Sequence, residues 1–251
     1  MNVIIPSIGI RSLPSEDAPL ETECLFGETI TIIEEYSDWI YCELNTDKYR
    51  GWLKKFGLGY LKKPTHRIIT PRSFIYPKKD IKVNSIQHVS LGSQLTVKKF
   101  EDDWACIYLS NSKKNDFGYL PKKHLIGINS KIKDWVSISE QLLDTPYKWG
   151  GRDTLGIDCS ALLQLSYQTY GINLPRNTSQ QIKLNKGLIK NISSLERGCV
   201  VFWEGHVAIM TDKKNCIHAN AFHMKTNIEP LNNIVDRMSE KYKIIKMFNL
   251  N

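Results

Sequence analysis

Cys159, His206 and His218 are the residues of this chain whose types and order could carry nucleophilic catalysis. A thiolate attacks carbonyl carbon well, but at neutral pH it forms only with help from a base or a local positive potential. Cys159 stands in GGRDTLGIDCSALLQLSYQTYG (150–171), directly behind Asp158. His206 lies in VVFWEGHVAIM (200–210) and His218 in CIHANAF (216–222). A nucleophile, a base and a polar group that orients the base make the usual activated-cysteine set. His66, His88 and His124 fall in the repeated β-like part of the chain and are read as incidental. His223, five residues past His218 and on the opposite strand face, is left out of the set.

These side chains need elements to hold them. The stretch CSALLQLSYQTY (159–170) predicts a helix with an apolar face of Leu162, Leu163, Leu165 and Tyr167, ended by Gly171. Asp158 then takes the N-cap, and Cys159 becomes the first helical residue, where free N–H groups and the helix dipole favour a thiolate. Asp158 itself works against that, because a carboxylate beside a thiol raises the thiol's pKa. The pair Gly150-Gly151 lets the backbone come close ahead of the turn. On the other side, a three-residue loop at Asp212-Lys213-Lys214 would pair Thr211 with Asn215 and Ala208 with His218. His206 and His218 would then share one face, two residues apart across the pair.

Composition limits the alternatives. The chain of 251 residues is 41% hydrophobic and 10% aromatic, enough for a packed core rather than disorder. Its net charge of +8 is spread along the chain, in basic pairs such as Lys54-Lys55 and Lys122-Lys123 rather than in a stripe, which argues against nucleic-acid binding. No C-x-x-C pair suggests structural zinc, and most of the six cysteines sit in apolar strand-like contexts as small buried hydrophobes, expected to be reduced. No apolar run approaches the roughly 20 residues of a membrane span. MNVIIPSIGI lacks a basic start and is broken by Pro6 and Gly9, so the expectation is a soluble cytoplasmic chain, with export by another route left open.

A repeat precedes the cysteine. LFGETITIIEEYSDWIYCEL (25–44) matches SLGSQLTVKKFEDDWACIYL (90–109), pairing Gly27 with Gly92 and Trp39 with Trp104. After a two-residue insertion, GWL (51–53) matches GYL (118–120). The period-two runs TITIIEE and QLTVKKF predict short strands, and each copy a small β-barrel. Units this small are marginal alone, so the copies should pack on each other or on the C-terminal part of the chain. Three parts result, 1–63, 66–128 and 130–251. Early in the third, IKDWVSISEQLL predicts a helix stopped by Pro146.

The repeats resemble bacterial SH3-like domains. Residues 130–251 resemble the NlpC/p60 family of cysteine peptidases, through PYKWGG (146–151), DCSALLQ (158–164), LPRNTSQQ (174–181), ERGCVVFW (196–203), GHVAIM (205–210) and IHANAF (217–222). Ala161 stands where the family often has Gly, and Gly198-Cys199 where it often has Gly-Asp; neither touches a reacting group. The resemblance implies an α+β fold, with a papain-like catalytic domain (a Cys-bearing helix packed on an antiparallel sheet) behind two SH3-like barrels. It implies Cys159 as nucleophile, His206 as general base, His218 as third polar residue and Tyr147 as oxyanion donor, without metal or other cofactor. The combination resembles the γ-D-glutamyl-L-diamino acid endopeptidases (dipeptidyl-peptidase VI type), which cut murein peptides bearing a free N-terminal L-Ala. From that subgroup, Asp158 and Ser160 would hold the substrate amine and Tyr49, in TDKYRGWL, would close the pocket. Trp149 would wall the alanine methyl, and Arg176 would be structural or line the pocket. Because Asp158 is the only acid beside the nucleophile, a blocked amine is expected to leave its carboxylate unpaired. An amidase or acyl-transfer reaction on the same Cys–His pair, and a non-catalytic wall-binding protein, stay open as alternatives.

Overall fold

The structure is a computed structural model that describes residues 1–110, 116–184, 187–238 and 243–250. The chain forms two compact units: Met1–Ser130 with Arg152–Thr154, and Lys131–Gly151 with Leu155–Asn251.

The first unit is built of short antiparallel strands. Five pair in the spatial order Leu20–Leu25, Ser7–Arg11, Arg50–Lys54, Trp39–Leu44, Ile30–Tyr36. Alternate residues of Trp39–Leu44 reach a core that includes Ile8, Ile10, Cys24, Ile40, Cys42 and Leu53. Ile30–Tyr36 departs from its half-buried expectation. It lies at the sheet edge with only Ile30 buried, so its alternation marks a strand without a covered second face. The second copy forms its own pairings, with Trp104–Tyr108 between Val97–Glu101 and Phe117–Pro121. The copies share a core, since Phe26 of the first packs among Ile68, Ile75, Val89, Leu95, Ala105, Ile107 and Leu120 of the second. The matched glycines have positive φ, 83° at Gly27 and 88° at Gly92. At Gly27 a Cβ would sit 1.9 Å from the Gln94 carbonyl oxygen, so only glycine fits.

The first unit also contains Arg152–Thr154, which sequence patterning assigns wholly to the third part. Arg152, fully buried, forks onto the Glu28 carboxylate at 2.8 and 3.0 Å, and its Nη1 also donates to the Glu23 carbonyl at 2.7 Å. Burial alone would discourage that charge, but Glu28 outweighs it and holds the guanidinium charged.

In the second unit a six-stranded sheet runs Leu188–Ile189, Lys246–Asn249, Cys199–Trp203, His206–Met210, Asn215–Asn220, Lys225–Pro230. Period-two alternation puts Cys199, Val201, Trp203, Ala208, Met210 and Cys216 into one core with Leu231 and Ile234 of the helix Leu231–Met238. The helix Cys159–Gln168 packs against the two histidine-bearing strands. Every one of its residues is buried, so the expected single apolar face is wrong: the helix is surrounded. Its polar side chains are accommodated inside, as when Gln164 donates to the Leu174 carbonyl at 3.0 Å. The helix foreseen around IKDWVSISEQLL is short, Val136–Glu140. Among the described residues no helix is long and apolar enough to cross a membrane, and the six cysteines are free and buried.

Candidate active site

Asp158 caps the helix as expected. It is extended (φ −100°, ψ 173°), and its Oδ1 accepts the Ala161 N–H at 2.9 Å. The preceding loop is held close: Gly150 N–H donates to Asp158 Oδ2 at 3.0 Å and Asp158 N–H to the Gly151 carbonyl at 3.2 Å. A Cβ on Gly151 would lie 2.3 Å from the Gly156 oxygen, which explains the glycine there.

Asp158 is not a waiting carboxylate. Arg176, buried, donates from Nη1 to Oδ1 at 2.9 Å and from Nη2 to Oδ2 at 2.6 Å. Ser160 Oγ donates to Oδ1 at 3.0 Å and accepts from Arg176 Nη1 at 2.6 Å. Five donors thus occupy about four lone-pair positions. The expectation that a blocked substrate amine would strand this carboxylate is therefore corrected: Arg176 already pairs it. Sequence reading gives Arg176 no partner, because the pairing spans two elements of unrelated pattern.

Cys159 lies just inside the surface, its Sγ 3.9 Å from the Gly205 carbonyl oxygen. Burial, then the Asp158 charge, pushes its thiol up to about 12, against the opposing pull of the Val207 N–H, Arg176 and the Ser160 N–H. The helix-start advantage expected for a thiolate is outweighed, and the resting group is a thiol. The backbone on either side of His206 thus touches the Cys159 thiol.

The hairpin register is as expected. Ile209 pairs with Ile217, Met210 with Cys216, and Thr211 N–H donates to the Asn215 carbonyl at 2.9 Å. His206 Nε2 is 2.8 Å from His218 Nδ1, which leaves His206 Nδ1 outside that hydrogen bond. Burial holds the His206 imidazole down to about 3 and that of His218 to about 4, so both rings are neutral at rest. Behind them stands a group that sequence reading misses. Glu229 Oε1 lies 2.8 Å from His218 Nε2 and 3.2 Å from His223 Nε2, and accepts from Arg237 Nη2 at 2.6 Å. His223, excluded from the set by its strand face, therefore belongs to this cluster. The signal for Glu229 is the strand KTNIEP (225–230), in which it pairs with Cys216, on the face of His218.

Tyr147 is half-buried. Its backbone bridges Ile157, and its hydroxyl pKa is raised to about 12 by burial, then by Cys159 and Asp158. Trp149 is 71% exposed. Tyr49 belongs to the first unit, where its hydroxyl donates to Glu21 Oε2 at 2.8 Å. Among the described residues, no group of three or more His, Cys, Asp or Glu could hold a metal ion.

The sequence model of the NlpC/P60 family matches residues 144–245, the span that holds Asp158, Cys159, His206 and His218. Residues 144–245 are an NlpC/P60 domain. That of the bacterial dipeptidyl-peptidase SH3 domain matches residues 10–58. A Bacillus cereus protein named gamma-D-glutamyl-L-lysine dipeptidyl-peptidase is 25% identical over 240 residues, covering 85% of this chain and 71% of its own. Dipeptidyl-peptidase 6 of Lysinibacillus sphaericus is 25% identical, covering 92% of both chains. The crystal structure of an NlpC/P60 family protein from Bacillus cereus matches with a TM-score of 0.85 at 20% identity, covering 100% of this chain and 99% of that one, which shows the fold. The NlpC/P60 domain makes this chain a cysteine peptidase.

Proposed function

We propose that the chain hydrolyses the γ-D-Glu–diamino acid bond of murein peptides that carry a free N-terminal L-Ala. The observation that carries this is the thiol of Cys159 set against the backbone flanking His206, with His206 hydrogen-bonded to His218. The names of the relatives, a gamma-D-glutamyl-L-lysine dipeptidyl-peptidase and a dipeptidyl-peptidase, support the substrate class.

In this reading His206 Nδ1 takes the Sγ proton as the sulfur attacks the γ-carbonyl carbon of D-Glu. The oxyanion is received by the Cys159 backbone N–H and the Tyr147 hydroxyl, and one such donor is worth about 3–4 kcal/mol of barrier in hydrolases. The proton passes to the amine of the diamino acid, which leaves, and a thioester to Cys159 remains. Water then attacks the thioester while His206 accepts its proton, and the proton returns to sulfur as the acid leaves. Because both histidines rest neutral and Cys159 rests as a thiol, proton transfer accompanies attack rather than preceding it.

Arg176, Asp158 and Ser160 act as one unit that fixes the helix start and the Gly150–Gly151 loop beside the nucleophile. A substrate ammonium reaching Asp158 would share it with Arg176. The assignment of two SH3-like barrels to 1–63 and 66–128, of Trp149 to the alanine methyl, and of Tyr49 to pocket closure rests on the resemblance; Tyr49→Phe tests the last through KM.

The deciding experiment is release of L-Ala-γ-D-Glu from a murein tripeptide by the wild type and by Cys159→Ala. The variant should be inactive, and retained turnover would overturn the reading. An N-acetylated tripeptide should turn over far more slowly; equal rates would remove the free-amine requirement.

A further inference from the structure

The hydrogen bonds behind His206 run in one direction. Glu229 is gripped by Arg237, whose Nη1 and Nη2 reach Oε2 at 3.1 Å and Oε1 at 2.6 Å, and Arg237 in turn lies over the Phe222 ring at 4.2 Å. Burial pushes the Glu229 carboxyl up, but the Arg237 and His218 hydrogen bonds outweigh it and hold it at about 2. An ionised carboxylate only accepts, so the proton between it and His218 sits on His218 Nε2. A neutral His218 then offers Nδ1 as a lone pair, and the 2.8 Å contact requires His206 Nε2 to donate.

One group competes for His218 Nε2. Asn220 Nδ2 lies 3.1 Å from it, and the amide cannot turn round because Asn220 Oδ1 accepts the His223 N–H at 2.8 Å. With Glu229 in place, Asn220 instead donates to Asn227 Oδ1 at 2.6 Å. Without Glu229, its N–H is placed to turn His218 into the opposite tautomer.

We propose that Glu229, held by Arg237, is a positioning residue that sets the tautomer of His218 and through it that of His206, leaving His206 Nδ1 as the lone pair that takes the Cys159 proton. The inference rests on the Cys159–His206–His218 reading and adds what orders it. The groups that face the carboxylate are His218 on the neighbouring strand, His223 in the turn between the two strands and Arg237 on the last helix, with Cys216 donating to the Glu229 backbone carbonyl at 3.6 Å.

Imidazole 15N NMR of the intact wild-type protein at neutral pH tests this without any substitution. Both His206 and His218 should carry their proton on Nε2, and a proton on His218 Nδ1 would overturn the proposal. The double variant Glu229→Leu/Arg237→Met removes the ion pair without stranding a charge. It should move both protons to Nδ1 and lower kcat about 100-fold or more, the size of a lost general base, with KM within about threefold. A folded double variant that keeps both tautomers and its kcat would refute the role. Cys159→Ala separates the two claims. If it is inactive while the double variant is unchanged, only the role of Glu229 falls; if it is active, the nucleophile reading falls whatever the spectra show.

Discussion

Replacing Arg176 by Met should destabilise the second unit more than replacing Arg176 and Asp158 together. Arg176 is almost wholly inaccessible and supplies two of the five donors to the buried Asp158 carboxylate. Met fills much of the volume but leaves the charge with only Ser160, Ala161 and Gly150. Removing one partner of a buried ion pair costs about 3–5 kcal/mol, because the remaining charge is uncompensated. In a unit of roughly 120 residues, 1 kcal/mol moves Tm by about 3–5 °C, so the single variant should melt roughly 10–25 °C lower. In Arg176→Met/Asp158→Asn the charge is gone, and Asn still caps a helix about as well as Asp, so the loss should fall to about 1–2 kcal/mol. Calorimetry in a Cys159→Ala background keeps thiol chemistry out of the comparison. A double variant no more stable than Arg176→Met would refute the idea that the two side chains are held as a pair. With Cys159 present, Arg176→Met should also slow alkylation by iodoacetamide, since Arg176 is among the groups that lower the thiol's pKa.

The histidine pair should make the second unit acid-sensitive. Both rings titrate lower folded than unfolded, at about 3 and 4 against about 6.5, so the unfolded chain binds more protons and stability falls as pH drops from about 6.5 towards 4. Thermal melts across that range should show it for the wild type and less for His218→Gln; a flat Tm would contradict it. Gly151→Ala should cost about 1–3 kcal/mol and lower kcat, because its Cβ would press on the Gly156 backbone ahead of Asp158; wild-type melting and turnover would show that the loop yields freely. Arg152→Met should destabilise the first unit by about 3–5 kcal/mol by stranding Glu28, whereas Arg152→Met with Glu28→Gln should recover most of it, read by denaturant unfolding.

Local rules suffice where they act over a few residues. The N-cap at Asp158 and the three-residue hairpin loop are legible because caps and turns have short-range chemistry. With the loop fixed, strand register comes with it, and the His206–His218 contact is arithmetic. The hidden features depend on partners far apart in sequence. Nothing in LPRN says that Arg176 will close on Asp158, and nothing near RDT says that Arg152 will leave its neighbours for Glu28. Glu229 escapes notice because a single acid in KTNIEP has the pattern of any exposed strand until its pairing with Cys216 is known.

Cys159 shows why such pairings matter to chemistry as well as stability. At a helix start a cysteine should ionise easily, yet burial and Asp158 keep this one protonated at rest. Arg176 offsets part of the Asp158 charge, so the same carboxylate can cap the helix and anchor the Gly150 loop without opposing the thiolate in full. In the proposed mechanism the remaining barrier falls to His206, and a neutral imidazole removes a proton only through a nitrogen that carries none. On the proposed tautomers, the direction of the hydrogen bonds leading to Glu229 supplies that condition. In this reading Cys159 depends on two arginine–carboxylate pairs, the buried Arg176–Asp158 in front and the half-buried Arg237–Glu229 behind. The first should tune how readily the thiol gives up its proton, and the second whether there is a nitrogen to receive it. Loss of the first should therefore appear as a shift in the pH dependence of alkylation, and loss of the second as a fall in kcat with alkylation of the resting thiol nearly unchanged.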